Sequence, residues 1–177
     1  MKKRMNYQYY VEGEDEKNLL NVLKQDFQCI ESGKIDKFNV IQERFTVLRI
    51  RPLRQNTIVV LVYDTDIEEV DILRQNINFL KRQDAVKKVL CIPQVKNLED
   101  ELLRSCQIRK IEDLTHSCTK KDYKKDLIQC TNLGARLRQH GFDIAKFWSA
   151  VPAAPFHTFG NDSAGVKQSS SEFLHTR

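Results

Sequence analysis

Glycine and proline are scarce in this 177-residue chain, with six and four residues. A sequence so poor in both is neither collagenous nor built mainly of loops. Cysteine is present in an odd number, five, and never as C-x-x-C. Cys29, Cys91, Cys106, Cys118 and Cys130 therefore spell no zinc ribbon, no thioredoxin-type motif and no disulfide framework. Cys106 and Cys130 fall on apolar helical faces, and the set reads as small hydrophobes in a reducing compartment. Four histidines, His116, His140, His157 and His175, are scattered without metal-ligand spacing. No apolar run approaches the ~20 residues that span a bilayer. The basic start Met-Lys-Lys-Arg leads into Gln8, Glu12 and Glu14 rather than the apolar core of a signal peptide. The expectation is a cytoplasmic protein with no membrane partner. No G-x-x-x-x-G-K-[ST] loop occurs, so any ATPase acting with it would be a separate subunit.

What remains is ordinary globular composition, 41% hydrophobic and 30% charged. The length suits one domain with an appended subdomain and a core that needs no staples. Net charge is +5 and unevenly placed: residues 116–146 carry 7 Lys+Arg against 3 Asp+Glu, while residues 1–115 are nearly balanced. A local basic excess suits a polyanionic partner, and equally a solvated helix.

Asn6 to Val11 predicts a strand. Leu19, Leu20, Leu23, Phe27 and Ile30 predict a helix from Asp15 to Ile30, acidic in its first turn and ended by Gly33. Alternation from Phe45 to Arg51 predicts a second strand. The β-branched run Thr57 to Tyr63 predicts a strand buried on both faces, as in a parallel sheet. Val70, Leu73, Ile77 and Leu80 predict an amphipathic helix, and Val86 to Ile92 a further strand closed by Pro93. The expected fold is α/β: a Rossmann-like core with a mainly parallel four-stranded sheet over residues 1–95. Helices led by Asn97, then around Ile111–Leu114, Leu127–Leu137 and Phe142–Trp148, predict a small helical subdomain over 96–157. Residues 158–177 read as a flexible tail.

Two acidic clusters follow strands. Glu12-Gly13 comes after the first, and Asp64-x-Asp66-x-Glu68 after the buried one. In an open α/β sheet, ligands bind outside the carboxyl ends of the strands, so the clusters would meet at one edge. Converging carboxylates repel and raise one another's pKa unless a cation lies between them. All-oxygen ligands select hard ions, Mg²⁺ or Mn²⁺, which can clamp the oxygens of a phosphodiester. Acids at helix starts also favour the helix dipole, which accounts for either cluster taken alone.

Tyr10-Val11-Glu12-Gly13-Glu14-Asp15-Glu16-Lys17, followed about fifty residues later by Val62-Tyr63-Asp64-Thr65-Asp66, resembles the TOPRIM domain. The resemblance spans roughly residues 5–95. The E-G-E-x-E-K form is most similar to stand-alone bacterial TOPRIM proteins, the OLD-family and RloB-like nucleases. It implies a TOPRIM core and a Mg²⁺-dependent (or Mn²⁺-dependent) nuclease acting on DNA or RNA in defence against phage or plasmids. By the resemblance, Glu12 would move a proton or bind metal, and Asp64 and Asp66 would hold the ion. Glu16 and Glu68 match further acidic positions, and Lys96 and Glu99 fall near where OLD-type enzymes carry a lysine and a later acid. A topoisomerase would need a strand-cleaving tyrosine domain, and a primase or recombination mediator would need zinc-ligand cysteines.

Candidate nucleic-acid contacts are Arg49, Arg51 and Arg54, with Lys120, Lys121, Lys124 and Lys125 crowded on one helical face. The rival reading is a non-catalytic TOPRIM-like subunit that binds nucleic acid or a partner in a defence complex. A flavodoxin-like regulator with a phosphorylatable aspartate leaves Glu12-Gly13 unexplained. A partner ATPase and a homo-oligomer stay open.

Overall fold

The computed structural model describes residues 5–168. Strand β1 (Asn6–Val11) runs through Glu12-Gly13 into α1 (Glu14–Gln25). Then come β2 (Gly33–Lys37), a single helical turn α2 (Val47–Ile50), β3 (Thr57–Asp64), α3 (Asp71–Lys81) and β4 (Val86–Gln94). Helices α4 (Leu98–Ser105), α5 (Glu112–Thr115), α6 (Lys120–Gln129) and α7 (Leu133–Gln139) follow. The strands form one all-parallel sheet in the order β2-β1-β3-β4. This is the expected α/β, Rossmann-like core. Among the described residues, no helix is long and apolar enough to cross a membrane.

Strand β3 is buried from Thr57 through Tyr63, as its unbroken apolar run requires. Ile58, Val60 and Val62 face one side with Tyr9, Val11, the α1 leucines and the apolar residues of α4 to α7. Val59, Leu61 and Tyr63 face the other side with Tyr10, the α3 residues Leu73, Ile77 and Leu80, and the loop residues Phe38 and Phe45. So α1 covers one face and α3 the other. The strand order reverses between β1 and β3, which opens a crevice outside the carboxyl ends of those two strands.

Several local expectations change. The second strand is Gly33–Lys37, not Phe45–Arg51. An edge strand buries little, and only Ile35 of Gly33–Lys37 is buried, so no alternation marked it. In the 45–51 stretch only Phe45 and Ile50 are buried, and the Thr46 side chain caps α2 by accepting from Arg49 N. Helix α1 stops at Gln25, well before Ile30, and Gly33 begins β2 instead of ending the helix. The Leu127–Leu137 helix breaks at Cys130 into α6 and α7, and Phe142–Trp148 is a run of turns. Of the expected tail, 158–168 is docked: two single-turn 3₁₀ helices, Phe156–Phe159 and Ser163–Gly165, lead to buried Val166 and a bridge between Ile30 and Lys167. The rest of it, 169–177, lies outside the described residues. Cys29, Cys91 and Cys106 are buried as expected, but Cys118 is exposed and Cys130 half-buried.

The long β2–β3 connection has little regular structure of its own, and one side chain of α3 pins it. Buried Asn76 accepts from Phe45 N at 2.9 Å and donates to Val40 O at 2.9 Å and Glu43 O at 2.7 Å. Beside this knot Phe38 stacks on Phe45 at 4.3 Å, and Tyr10 meets Phe45 edge-on at 4.8 Å. Asn76→Ala strands two buried backbone groups and one part-buried one, so it should cost roughly 2–4 kcal/mol in urea denaturation. A loss below ~1 kcal/mol would mean the loop holds itself.

Candidate metal and catalytic site at the carboxyl edge of the sheet

Glu12 is the first residue beyond β1, and Gly13 caps α1 in extended conformation, φ −132° and ψ 176°. Any residue adopts that backbone, so glycine is required here for space. A Cβ on Gly13 would come 2.5 Å from Asp15 Oδ1 and 2.8 Å from Glu16 Oε2. Its absence lets both carboxylates fold back over the turn. They pay in solvent: Asp15 and Glu16 are buried, and Asp15 Oδ2 and Glu16 Oε2 have no hydrogen-bond partner among the described residues. Burial, aided by Asp15 beside it and by the charge of Asp64, pushes the Glu16 carboxyl up to about 9.

Asp64 ends β3 in register with Gln94, the last residue of β4. Fully buried Gln94 donates Nε2 to Asp64 Oδ1 at 2.8 Å and accepts from Trp148 Nε1 at 3.4 Å. Burial raises the Asp64 carboxyl to about 8; the Gln94 hydrogen bond opposes this, while Glu12, Asp66 and Glu99 add to it. Glu12 is half-buried and likewise raised, first by burial and then by the charge of Asp66, with Lys124 pulling the other way. Lys124 reaches in from α6, its Nζ 3.8 Å from Glu99 Oε1.

The fold thus gathers Glu12, Glu16, Asp64, Asp66, Glu99 and Lys124 into one electrostatic neighbourhood at the β1–β3 crevice. Asp66 lies at its exposed rim. Glu68 is exposed on the loop before α3 and has no hydrogen bond or ion pair among the described residues. Lys96 contributes its backbone: at φ +66° its N–H donates to Thr65 Oγ1 at 2.9 Å and its carbonyl accepts from Thr65 N at 2.9 Å, fixing the Asp64-Thr65-Asp66 turn. Its exposed ammonium touches none of the carboxylates among the described residues.

Three participants carried no clear signal in the sequence. Asp15 read as one more acid in a helix's first turn. Gln94 is marked only by its register opposite Asp64. Tyr123 stands among the lysines of α6, yet it is fully buried, with a hydroxyl lacking a partner among the described residues and a pKa raised by burial and by Glu99, Asp15 and Glu16.

Of the basic candidates, only Lys124 lies here. Arg49 sits on α2 with its guanidinium 4.9 Å from the Phe38 ring centroid, and Arg51 is the C-cap of that turn. Arg54 lies beside Asn6, Gly33 and Thr57, at the amino ends of the strands, opposite the carboxylates. Lys120, Lys121 and Lys125 are exposed on α6.

Among the described residues, no three carboxylate, histidine or cysteine side chains converge tightly enough to make a finished ion cage. The donors still have the chemistry of a hard-cation site. They are all oxygen, two of the oxygens are buried without partners among the described residues, and Glu12, Glu16 and Asp64 are raised in pKa first by burial and then by neighbouring carboxylates whose charge a cation relieves. The sequence matches no protein-family model, and no curated protein and no solved structure matches it. The functional reading rests on the chain's own residues.

Asp64 and Glu16 hold protons more tightly when folded than their ordinary values of 3.8 and 4.5 allow. Their stabilising contribution is whole below those ordinary values and disappears as pH rises through about 8 and about 9. In metal-free buffer the melting temperature should fall between about pH 5 and pH 9, and Asp64→Asn with Glu16→Gln should flatten that fall. Identical profiles for wild type and double variant would contradict the assigned shifts.

Proposed function

We propose that the chain is a Mg²⁺- or Mn²⁺-dependent nuclease that hydrolyses phosphodiester bonds of DNA or RNA. One observation carries the reading: buried and half-buried carboxylates, two of them with orphaned oxygens, lie at the point where the strand order reverses. The order of Glu12-Gly13 and Asp64-Thr65-Asp66 on neighbouring strand ends supports it, through the likeness to TOPRIM nucleases.

In this reading Asp64 and Asp66 would hold the ion, with Glu12 beside it and Glu16 and Glu99 behind. The bound ion supplies a charge that acidifies water and neutralises the phosphate oxygens. Glu12, raised in pKa and aimed by the end of a buried strand, accepts the proton of the attacking water. The water oxygen then bonds to phosphorus, and the P–O bond to the leaving oxygen breaks. Lys124, paired with Glu99, balances the negative charge of the cluster before substrate arrives.

Glu12→Gln keeps shape and removes the charge. It should lower metal-dependent cleavage of single-stranded and duplex substrates by ~10²–10⁴. The metal-free melting temperature should stay equal or rise slightly, since one repelling carboxylate is gone. Asp64→Asn should abolish Mg²⁺ binding in calorimetry. Wild-type protein that binds Mg²⁺ and nucleic acid without cutting would replace the nuclease by the binding-subunit reading. Glu12→Gln that unfolds would make Glu12 a structural anchor.

A further inference from the structure

Strand β2 is one of the two edge strands of the sheet, and the 46–54 segment stands beside it as a second wall. Between them lie two depressions that share Lys34 and Pro52. One, about 370 Å³, sits at the amino ends of the strands and is bordered by Asn6, Gln8 and Arg54. The other, about 540 Å³, continues toward the carboxyl end and is bordered by Lys37, Leu48 and Arg49.

We propose that this groove along the outer edge of β2 binds the phosphate backbone of a single nucleic-acid strand and leads it to the carboxylate crevice. Four cations line the groove, Lys34, Lys37, Arg49 and Arg54, against one carboxylate, Asp36. That carboxylate is already engaged, by Lys34 at 3.0 Å and by Gln8 Nε2 at 3.1 Å. Arg49 and Arg54 form no ion pair among the described residues. Their guanidiniums are thus available to phosphate, which they suit in charge and planar geometry.

The apolar wall favours a single strand. Leu48 and neighbouring Val47 are 77% and 67% exposed, large apolar surfaces at the rim of a cationic groove. Unpaired bases offer faces to such surfaces, whereas a duplex keeps its bases stacked inside. The groove also has a direction. At its carboxyl end the Lys37 Nζ lies 3.6 Å from Glu14 Oε1, in the first turn of α1 beside Glu12-Gly13. A strand lying along β2 would therefore arrive at the acidic crevice. Helix α6 is a poorer track, because it carries Asp122 and Asp126 among its lysines and Lys124 is paired with Glu99.

The proposal rests on the nuclease reading for the class of polymer and for the crevice to which the strand is led. It is tested in chelator, without cleavage, so each can fail separately. Fluorescence anisotropy with labelled homopolymeric single strands, DNA and RNA, gives affinity between about 50 and 200 mM salt. Replacing Lys34, Arg49 and Arg54 together by Gln should weaken binding at least about tenfold and lower the log–log salt slope by about 2, at ~0.7 per lost single-strand phosphate contact. Arg49→Lys with Arg54→Lys keeps the charge and should keep the wild-type salt slope even where affinity falls, separating lost charge from lost fold. Replacing Lys120, Lys121 and Lys125 by Gln should change affinity by less than about twofold. The proposal is overturned if wild type binds no single strand, if the groove variant keeps its slope, if the α6 variant carries the loss, or if an equally long duplex binds as tightly.

Discussion

The burial of carboxylates at the end of a parallel sheet is the constraint around which the rest of this molecule is arranged. Glu16 and Asp64 are pushed to about 9 and about 8 because the chain withholds water from them and places other acids beside them. Such an arrangement opposes folding at neutral pH, since protonating a group so far above its ordinary value, or keeping it charged without a partner, costs free energy either way. A sheet buried on both faces can bear that cost. Val11 and Tyr63, which precede the acidic turns of β1 and β3, are 0% and 1% exposed, so the turns cannot relax by letting the strand ends fray.

The helices after β4 complete the arrangement. Fully buried Glu101 on α4 accepts from Val95 N at 3.0 Å, Trp148 N at 2.9 Å and Arg104 Nη2 at 2.7 Å. It thereby ties the end of β4 to the distant residue Trp148, whose indole then orients Gln94, and Gln94 orients Asp64. A buried charge so fully paired is costly to break, and breaking it would loosen Asp64 through two intermediaries. The 156–168 segment seals the outer edge of β4: Asp162 Oδ2 accepts from Cys91 N and Asp162 N donates to Cys91 O, both at 2.8 Å. The sheet thus has one covered edge and one, at β2, lined by cations.

The legible parts of the fold were those whose burial is two-sided or strictly periodic. Thr57 to Tyr63 and the α3 stripe were plain in the sequence, as was Asn97 as the α4 cap. The edge strand was not, because Gly33–Lys37 buries only Ile35 and carries charge on either side. Its hydrophobic pattern was mimicked by Phe45 to Arg51, whose conformation is set by Asn76 and the Thr46 cap, contacts that no local window contains. Asp15 and Gln94 were hidden for a similar reason. Their roles come from the missing Cβ of Gly13 and from register across β3 and β4, which are facts about neighbours in space.

Burial and neighbouring acids together hold Asp64 and Glu16 protonated far above their ordinary range, and a divalent cation would displace those protons. Carboxyl ¹³C chemical shifts, followed through a pH titration of metal-free protein and again with Mg²⁺, read it directly. Without metal, the Asp64 carboxyl should titrate near 8 and the Glu16 carboxyl near 9, and with saturating Mg²⁺ both should fall below their ordinary values of 3.8 and 4.5. Ordinary titration of both groups in metal-free protein, unmoved by Mg²⁺, would contradict the account.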